Sequence, residues 1–429
     1  MKIMEFINSK LVLSAAIYTI SNLINKAIPF LLLPILTRFL SPEDYGIVSM
    51  FGVLVSFIIP FTGLNVHGAI SRMYYEQESI DIKEYITNCI YVLLFSSSIV
   101  AIVFMVSSKL IERITSVPYE ILWIVILVSI SQFITTIVLT LWQVQVKPLK
   151  FGIFQISQTL LNMILSILFV VFIGLTWKGS IYAQVISVSI FAIIGLAILK
   201  KNDWLKNKIN LSYIKHALSF GLPLVPHTLG GVIMTMTDRV FITNMVGIDA
   251  TGIYTVGYQV GMLISLLATS FNQAYVPWLY SKLKENIYNT KVKIVKFTYI
   301  YNIAIFLLAI LLSIVAPKFL SFFVGDKFDN ASIYVTWVAL GYAFNGMYLM
   351  VTNYIFYAQK TSYLATVTFI TAIINIPLNY IMIKNFGAVG AAQATTMIYF
   401  IKFILTWILS SVTYKMPWNI FKDSGLEHK

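Results

Sequence analysis

KKNDWLKNKINLSYIK, residues 200–215, is the longest basic connection in this 429-residue chain and sits at its middle. Apolar runs fill the sequence on both sides of it. Hydrophobic residues make up 59% of the chain and charged residues only 11%, with a mean hydropathy of +0.84. A soluble domain carries about 25% charged residues, so most of this surface has to face lipid. Twelve apolar runs stand out, with approximate limits 11–37, 45–67, 86–107, 119–142, 152–174, 179–199, 217–246, 251–276, 295–316, 332–356, 362–384 and 388–412. Each is long enough to cross a hydrocarbon core of roughly 30 Å as a helix. The expected fold is an all-α polytopic membrane protein with twelve transmembrane helices. They form two six-helix lobes, residues 1–200 and 216–429, joined by a basic linker at 201–215.

An even number of spans puts both termini on one side. Of the 30 basic residues, 20 fall on the side of the termini and 7 on the opposite side, while Lys26, Arg239 and Lys402 lie inside spans. The positive-inside rule then places both termini and the linker in the cytoplasm. This asymmetry absorbs most of the net charge of +13, so no nucleic-acid partner is called for. The segment MKIMEFINSK at 1–10 has few charges and no A-x-A cleavage site after it, so the first run reads as a retained span. Cys89 is the single cysteine and lies in an apolar run, which excludes an internal disulfide and disfavours a cysteine-based metal site.

Two pairs of segments repeat across the basic stretch. LTRFLSPEDYGI at 36–47 lies over ITNMVGIDATGI at 242–253, matching Thr37 with Thr243, Glu43 with Asp249 and Gly46 with Gly252. NMILSILFVVFIG at 162–174 lies over NIPLNYIMIKNFG at 375–387, matching Asn162 with Asn375 and Gly174 with Gly387. Six helices per repeat give both halves the same topology, related by a pseudo-two-fold axis along the membrane normal. That is the parallel-repeat plan of secondary transporters, with the solute site near the midplane between halves.

Charges inside the spans mark the candidate site. In SNLINKAIPFLLL, residues 21–33, Lys26 lies midway along an apolar run and 12 residues from Arg38, about 18 Å along a helix. A cation at the bilayer centre costs roughly 2.5–3.5 kcal/mol, and the lysine stem cannot snorkel that far. Asn22 shares its face one turn earlier, and Asn25 widens the polar stripe. The readings are a water-filled cavity that receives an anion and a buried lysine satisfied by amides. Asp238 and Arg239 in MTMTDRVFI point about 100° apart on a helix, so each needs a partner elsewhere or a cavity. Pro223, Pro226 and His227 in GLPLVPHTLGG predict a bend, where His227 either senses a proton or is a hydrogen-bonded core histidine. Lys402 lies deep in the last span, with a cavity role and a buried pairing equally open. Arg72, at the inner end of the second span, is placed either to meet phosphate or simply to fix topology. Three cations against one membrane carboxylate, with many amides nearby, suit an anionic, hydroxyl-rich solute.

Enzyme signatures are missing. The chain has no G-x-x-x-x-G-K-[ST] loop and no H-E-x-x-H, and its four histidines are scattered. Connections are too short to house a catalytic domain, and DKFD at 326–329 reads as a solvated turn rather than a metal site. No cofactor or metal is expected.

Three stretches carry a family likeness: LTRFLSPEDYGIVSMF at 36–51, the segment 219–261 that begins SFGLPLVPHTLGG, and NIPLNYIMIKNFGAVGAAQATT at 375–396. They resemble the bacterial polysaccharide flippases, the O-antigen translocases of the multidrug/oligosaccharidyl-lipid/polysaccharide exporter superfamily. The resemblance implies translocation of undecaprenyl-pyrophosphate-linked oligosaccharide across the inner membrane through a cationic central cavity. It also implies alternating access, with H+ or Na+ as the coupling ion. It places Asp238 and Arg239 in the helix 7 motif, and Pro223, Pro226 and His227 in the bend before it. Expected partners are membrane lipids, a polysaccharide polymerase and a chain-length regulator. A multidrug exporter of the same superfamily is the alternative, although cationic solutes would call for an excess of carboxylates. A membrane polymerase and a structural scaffold are further alternatives; short outer loops oppose the first, and the second leaves Lys26 unexplained.

Overall fold

A computed structural model describes residues 10–419 apart from 77, 79 and 361; the termini, with Lys2, Lys422, His428 and Lys429, lie outside the described residues. Every described element is helical. The first seven helices are α1 (Lys10–Phe39), α2 (Pro42–Ile58), α3 (His67–Met73), α4 (Ile82–Thr115), α5 (Leu122–Val144), α6 (Pro148–Ile167) and α7 (Thr176–Lys201). There follow α8 (Leu211–Gly221), α9 (Leu224–Met245), α10 (Ile248–Gly261), α11 (Leu263–Glu285), α12 (Tyr288–Phe323), α13 (Ser332–Tyr357), α14 (Ser362–Phe386) and α15 (Ala388–Thr413).

Each of the twelve apolar runs is largely helical, and ten stretches among the described residues are long and apolar enough to cross a membrane. Runs 45–67 and 332–356 are outside that set, for different reasons. The first breaks after α2, where Gly63, Leu64 and Asn65 take positive φ in succession (78°, 48° and 56°). A Cβ on Gly63 would come within 2.2 Å of the Phe133 ring, so side-chain space as well as φ demands glycine there. The second, α13, is long but diluted by tyrosine and asparagine. It can carry them because its faces are buried against α11, α12 and α15 rather than turned to lipid.

By packing, the chain forms two compact units, residues 1–252 and 253–429. In the first, α1 packs along α6, and α2, α4, α5 and α7 enclose a core around Phe51, Val125 and Val188 against which Met236 and Val240 of α9 rest. A second core around Ile86, Ile137 and Leu141 takes in Tyr213 and Phe220 of α8. In the second unit α13 is central, and its Tyr354 stacks on Tyr414 with ring centroids 6.1 Å apart.

The basic stretch is strapped down rather than hanging free. Residues 202–210 are non-helical and lie over the start of α4. Asp81 caps α4, accepting from the N–H groups of Lys83 and Glu84, and Lys206 Nζ reaches its Oδ2 at 2.6 Å. Glu84 is 3% exposed; its Oε1 accepts from Asn210 Nδ2 at 2.8 Å, and Lys208 Nζ is 3.6 Å from Oε2. Asn88 pins the strap from both directions, donating to the Lys208 carbonyl and accepting from the Asn210 N–H. Residues 211–215 of the expected linker already belong to α8.

The repeated segments 36–47 and 242–253 meet. A Cβ on Gly46 would lie 2.2 Å from the Ile248 carbonyl oxygen, and one on Gly252 would lie 1.9 Å from the Pro42 carbonyl oxygen. With the offset of the sequence alignment, Pro42 corresponds to Ile248 and Gly46 to Gly252. The two contacts are therefore images of each other, the signature of a two-fold. Backbone sits on backbone, and only glycine allows it.

Candidate functional site

Helix α1 has three distinct faces. Tyr18, Ser21 and Asn25 pack on α6: the Tyr18 ring meets Phe151 edge-on at 5.0 Å, Ser21 lies against Gly152, and Asn25 Oδ1 accepts from the Thr159 hydroxyl. Buried Ile28 and Leu32 continue this face. Leu13, Ile20, Ile24 and Leu31 form an exposed apolar stripe suited to lipid. At about 100° per residue, Lys26 lies about 140° from the centre of that stripe and about 120° from the centre of the α6 face. It stands with Asn22 and Pro29 on a third face, exposed, and makes no ion pair among the described residues. Asn25 does not widen the Lys26 stripe as expected, because its amide is turned to α6.

Asp238 and Arg239 on α9 are both buried, 4% and 7% exposed, and they pair with each other. The sequence reading assigns each of them a partner elsewhere or a cavity; the arginine stem is long enough to fold back, so they also meet each other. Its Nη1 lies 3.7 Å from Asp238 Oδ1 and donates to the Thr235 carbonyl at 3.0 Å and Met236 Sδ at 3.4 Å. Within α9 the guanidinium thus has a carboxylate, a carbonyl and a thioether as partners.

The bend forms where the prolines predict it. The helix stops at Gly221 and restarts at Leu224 with Pro223 as N-cap. Pro226 occupies the first turn of α9, where a missing N–H costs nothing. His227 is exposed in that turn. Next to it, Thr228 Oγ1 accepts from Asn65 Nδ2 at 3.2 Å, tying the bend to the left-handed turn between α2 and α3. Arg72 on α3 is exposed and pairs with Glu76 at 3.6 Å. In the second unit, Lys402 Nζ rests 4.1 Å above the Tyr348 ring, a cation–π contact between α15 and α13. The amides there bond to each other: Asn353 Nδ2 donates to Asn272 Oδ1, and Asn379 Nδ2 to Asn375 Oδ1, both at 2.8 Å. Among the described residues no group of three or more His, Cys, Asp or Glu side chains could hold a metal.

The structure thus pairs Asp238 with Arg239, leaves Lys26 and Asn22 one turn apart on the same helix, and gives Arg72 and Lys402 partners of their own. The sequence reading missed a cleft between α11 and α12, lined by Phe271, Trp278, Phe297, Lys282 and Lys293. Its signal was the dense spacing of lysines at 282–296 beside aromatic residues at helical intervals.

The sequence pattern of the polysaccharide biosynthesis protein family matches residues 11–283, and that of the MatE family matches residues 223–381. An uncharacterized membrane protein of Haemophilus influenzae is 26% identical over 395 residues, covering 91% of this chain and 92% of that protein. The capsular polysaccharide biosynthesis protein CapF of Staphylococcus aureus is 23% identical, covering 90% of this chain and 95% of its own. Among solved structures, the lipid II flippase MurJ in an inward closed conformation superposes with TM-score 0.75 at 15% identity, over 95% of this chain and 90% of its own. An inward-facing multidrug resistance MATE family transporter of the MOP superfamily superposes with TM-score 0.71 at 13% identity, over 96% of each chain. The chain belongs to the polysaccharide biosynthesis protein family, as a multi-pass membrane protein with the fold seen in the MurJ flippase and in MATE transporters.

Proposed function

We propose that this transporter flips undecaprenyl-pyrophosphate-linked oligosaccharide repeat units, of the kind used for O-antigen and other lipopolysaccharide or capsular polymers. The direction is from the cytoplasmic to the periplasmic leaflet of the bacterial inner membrane, and both termini are cytoplasmic. The observation that carries this reading is Lys26, an exposed cation at mid-span of α1, off the face that packs on α6 and off the apolar stripe, with Asn22 one turn earlier. An ammonium there recovers its desolvation cost when an anion visits. A pyrophosphate supplies the charge, and the sugars behind it take the amide. Lobe movements would then expose the headgroup to one side and the other in turn, with H+ or Na+ as coupling ion and His227 at the helix bend as the group that senses it. A polymerase and a chain-length regulator would receive the product.

The MatE match favours a second reading, export of cationic drugs. Against it, the carboxylates of the spans lie near their ends apart from Asp238, and Arg239 pairs with that one. Purified protein in vesicles distinguishes the two. The proposal expects movement of labelled lipid-linked oligosaccharide, changed by an imposed proton or sodium gradient. Efflux of a cationic dye with no movement of the glycolipid would reject it.

A further inference from the structure

A cleft of about 570 Å³ opens on the exposed side of the second unit, between α11 and α12. Its wall is aromatic. Phe271, Tyr275 and Phe297 lie nearly parallel, with ring centroids 5.7 to 6.1 Å apart, and Trp278 joins Tyr275 at 5.6 Å. Trp278 and Phe297 remain 46% and 38% exposed, so the wall is open from the side. Lys282, near the end of α11, and Lys293, near the start of α12, flank the mouth. The two helices are joined by a tight turn at Asn286–Ile287, so both lysines sit at one end of a helical hairpin. The rings lie one to three turns further along both helices, on the side away from that end.

This register is that of a bilayer lipid: a charged group at the interface and an apolar body deeper in the hydrocarbon. The lining contains lysines, aromatic rings, Ala274, Thr290 and Ile294, without a carboxylate or amide. A sugar would need such acceptors for its hydroxyls, and a cationic solute would need a carboxylate. Glu285 is the nearby acid, and it is held by Lys282 at 2.7 Å outside the lining. We infer that the cleft is a binding site for an anionic phospholipid of the surrounding bilayer, its phosphate between Lys282 and Lys293 and its chains along Trp278, Phe297 and Phe271. The inference does not depend on which solute the transporter moves.

The test uses the full chain in nanodiscs of phosphatidylcholine containing a small fraction of brominated phosphatidylglycerol or brominated phosphatidylcholine, with fluorescence quenching as readout. The Trp278 contribution is isolated by subtracting the Trp278→Phe variant, since the chain has eight tryptophans. One lysine near an anionic surface is worth about fivefold in affinity, so Trp278 should report a preference for phosphatidylglycerol of about tenfold or more. The double variant Lys282→Gln, Lys293→Gln changes two side chains outside the core and should erase it. Equal quenching by both lipids, or a preference that survives the double variant, overturns the inference. Loss of the phosphatidylglycerol signal on adding millimolar inorganic phosphate also overturns it, because the site would then take a free anion rather than a lipid.

Discussion

Replacing Lys26 by alanine should slow flipping without weakening the protein. The side chain is exposed and makes no ion pair among the described residues, so stability should change by less than about 0.5 kcal/mol, as at ordinary surface positions. Insertion should become easier, since a mid-membrane cation costs roughly 2.5–3.5 kcal/mol. Transport should lose what the ammonium gives a phosphate. A hydrogen bond to a charged group is worth about 1.5–3 kcal/mol, which converts to a rate or affinity loss of about 10- to 150-fold. Lys26→Gln keeps a donor but not the charge and should fall between alanine and wild type, while Lys26→Arg should retain most activity. The assay is the initial rate of flipping of labelled lipid-linked oligosaccharide in vesicles, with surface polysaccharide measured in cells at matched membrane levels. A Lys26→Ala rate within twofold of wild type, or wild-type polymer, would refute the reasoning.

Gly252→Ala places a methyl group 1.9 Å from the Pro42 carbonyl oxygen, and the resulting overpacking should cost about 1–3 kcal/mol, read as a lowered unfolding midpoint in detergent. Glu84→Ala leaves the Asn210 amide and Lys208 without their acceptor, while Lys206 keeps Asp81. A loss of about 1–3 kcal/mol in strap docking should speed tryptic cleavage at Lys206 and Lys208 by at least about fivefold. The strap should also respond to acid. The Lys206 bond, followed by the N–H groups of Glu84 and Lys83, holds the Asp81 carboxyl below its ordinary range. Its contribution is therefore complete above about pH 4 and lost as pH falls through the depressed value. Lys206, raised by Asp81, contributes fully below its ordinary range near 10.5 and loses that contribution as pH climbs through the raised value. Hydrogen exchange over residues 203–210 should be flat near neutrality and rise only at the acid and alkaline extremes. Asp81→Asn should remove the acid rise.

Lengths and polarity made the helices legible, because a bilayer demands about twenty apolar residues per span whatever their neighbours. The bend at Pro223 was legible for a similar reason, since proline changes the backbone itself; Gly46 and Gly252 were legible as matched positions of a repeat, and their close approach only from the structure. The break after α2 was harder to read. Pro60, Gly63 and Asn65 signal a turn, but they sit inside a run apolar enough to pass for continuous helix. The span α13 looked like its neighbours in sequence, yet it is the enclosed helix of its unit, and only packing reveals that. Side-chain partners were the least legible. Arg239 has a flexible stem, so its charge reached Asp238 despite the angle between their Cβ atoms. Asn25 and Lys26 are neighbours in sequence that went to different faces, one fixed by Thr159. Lys402 found an aromatic face, a partner no charge pattern announces.

The mirrored approach of Gly46 and Gly252 bears on how such a chain can change over generations. After a duplication, two copies of a segment ordinarily drift apart as each takes on its own task. Here each copy supplies the empty space that the other copy's backbone fills. A side chain gained by either would collide with a carbonyl of its twin, so these two positions are bound to one another's history even where everything around them diverges.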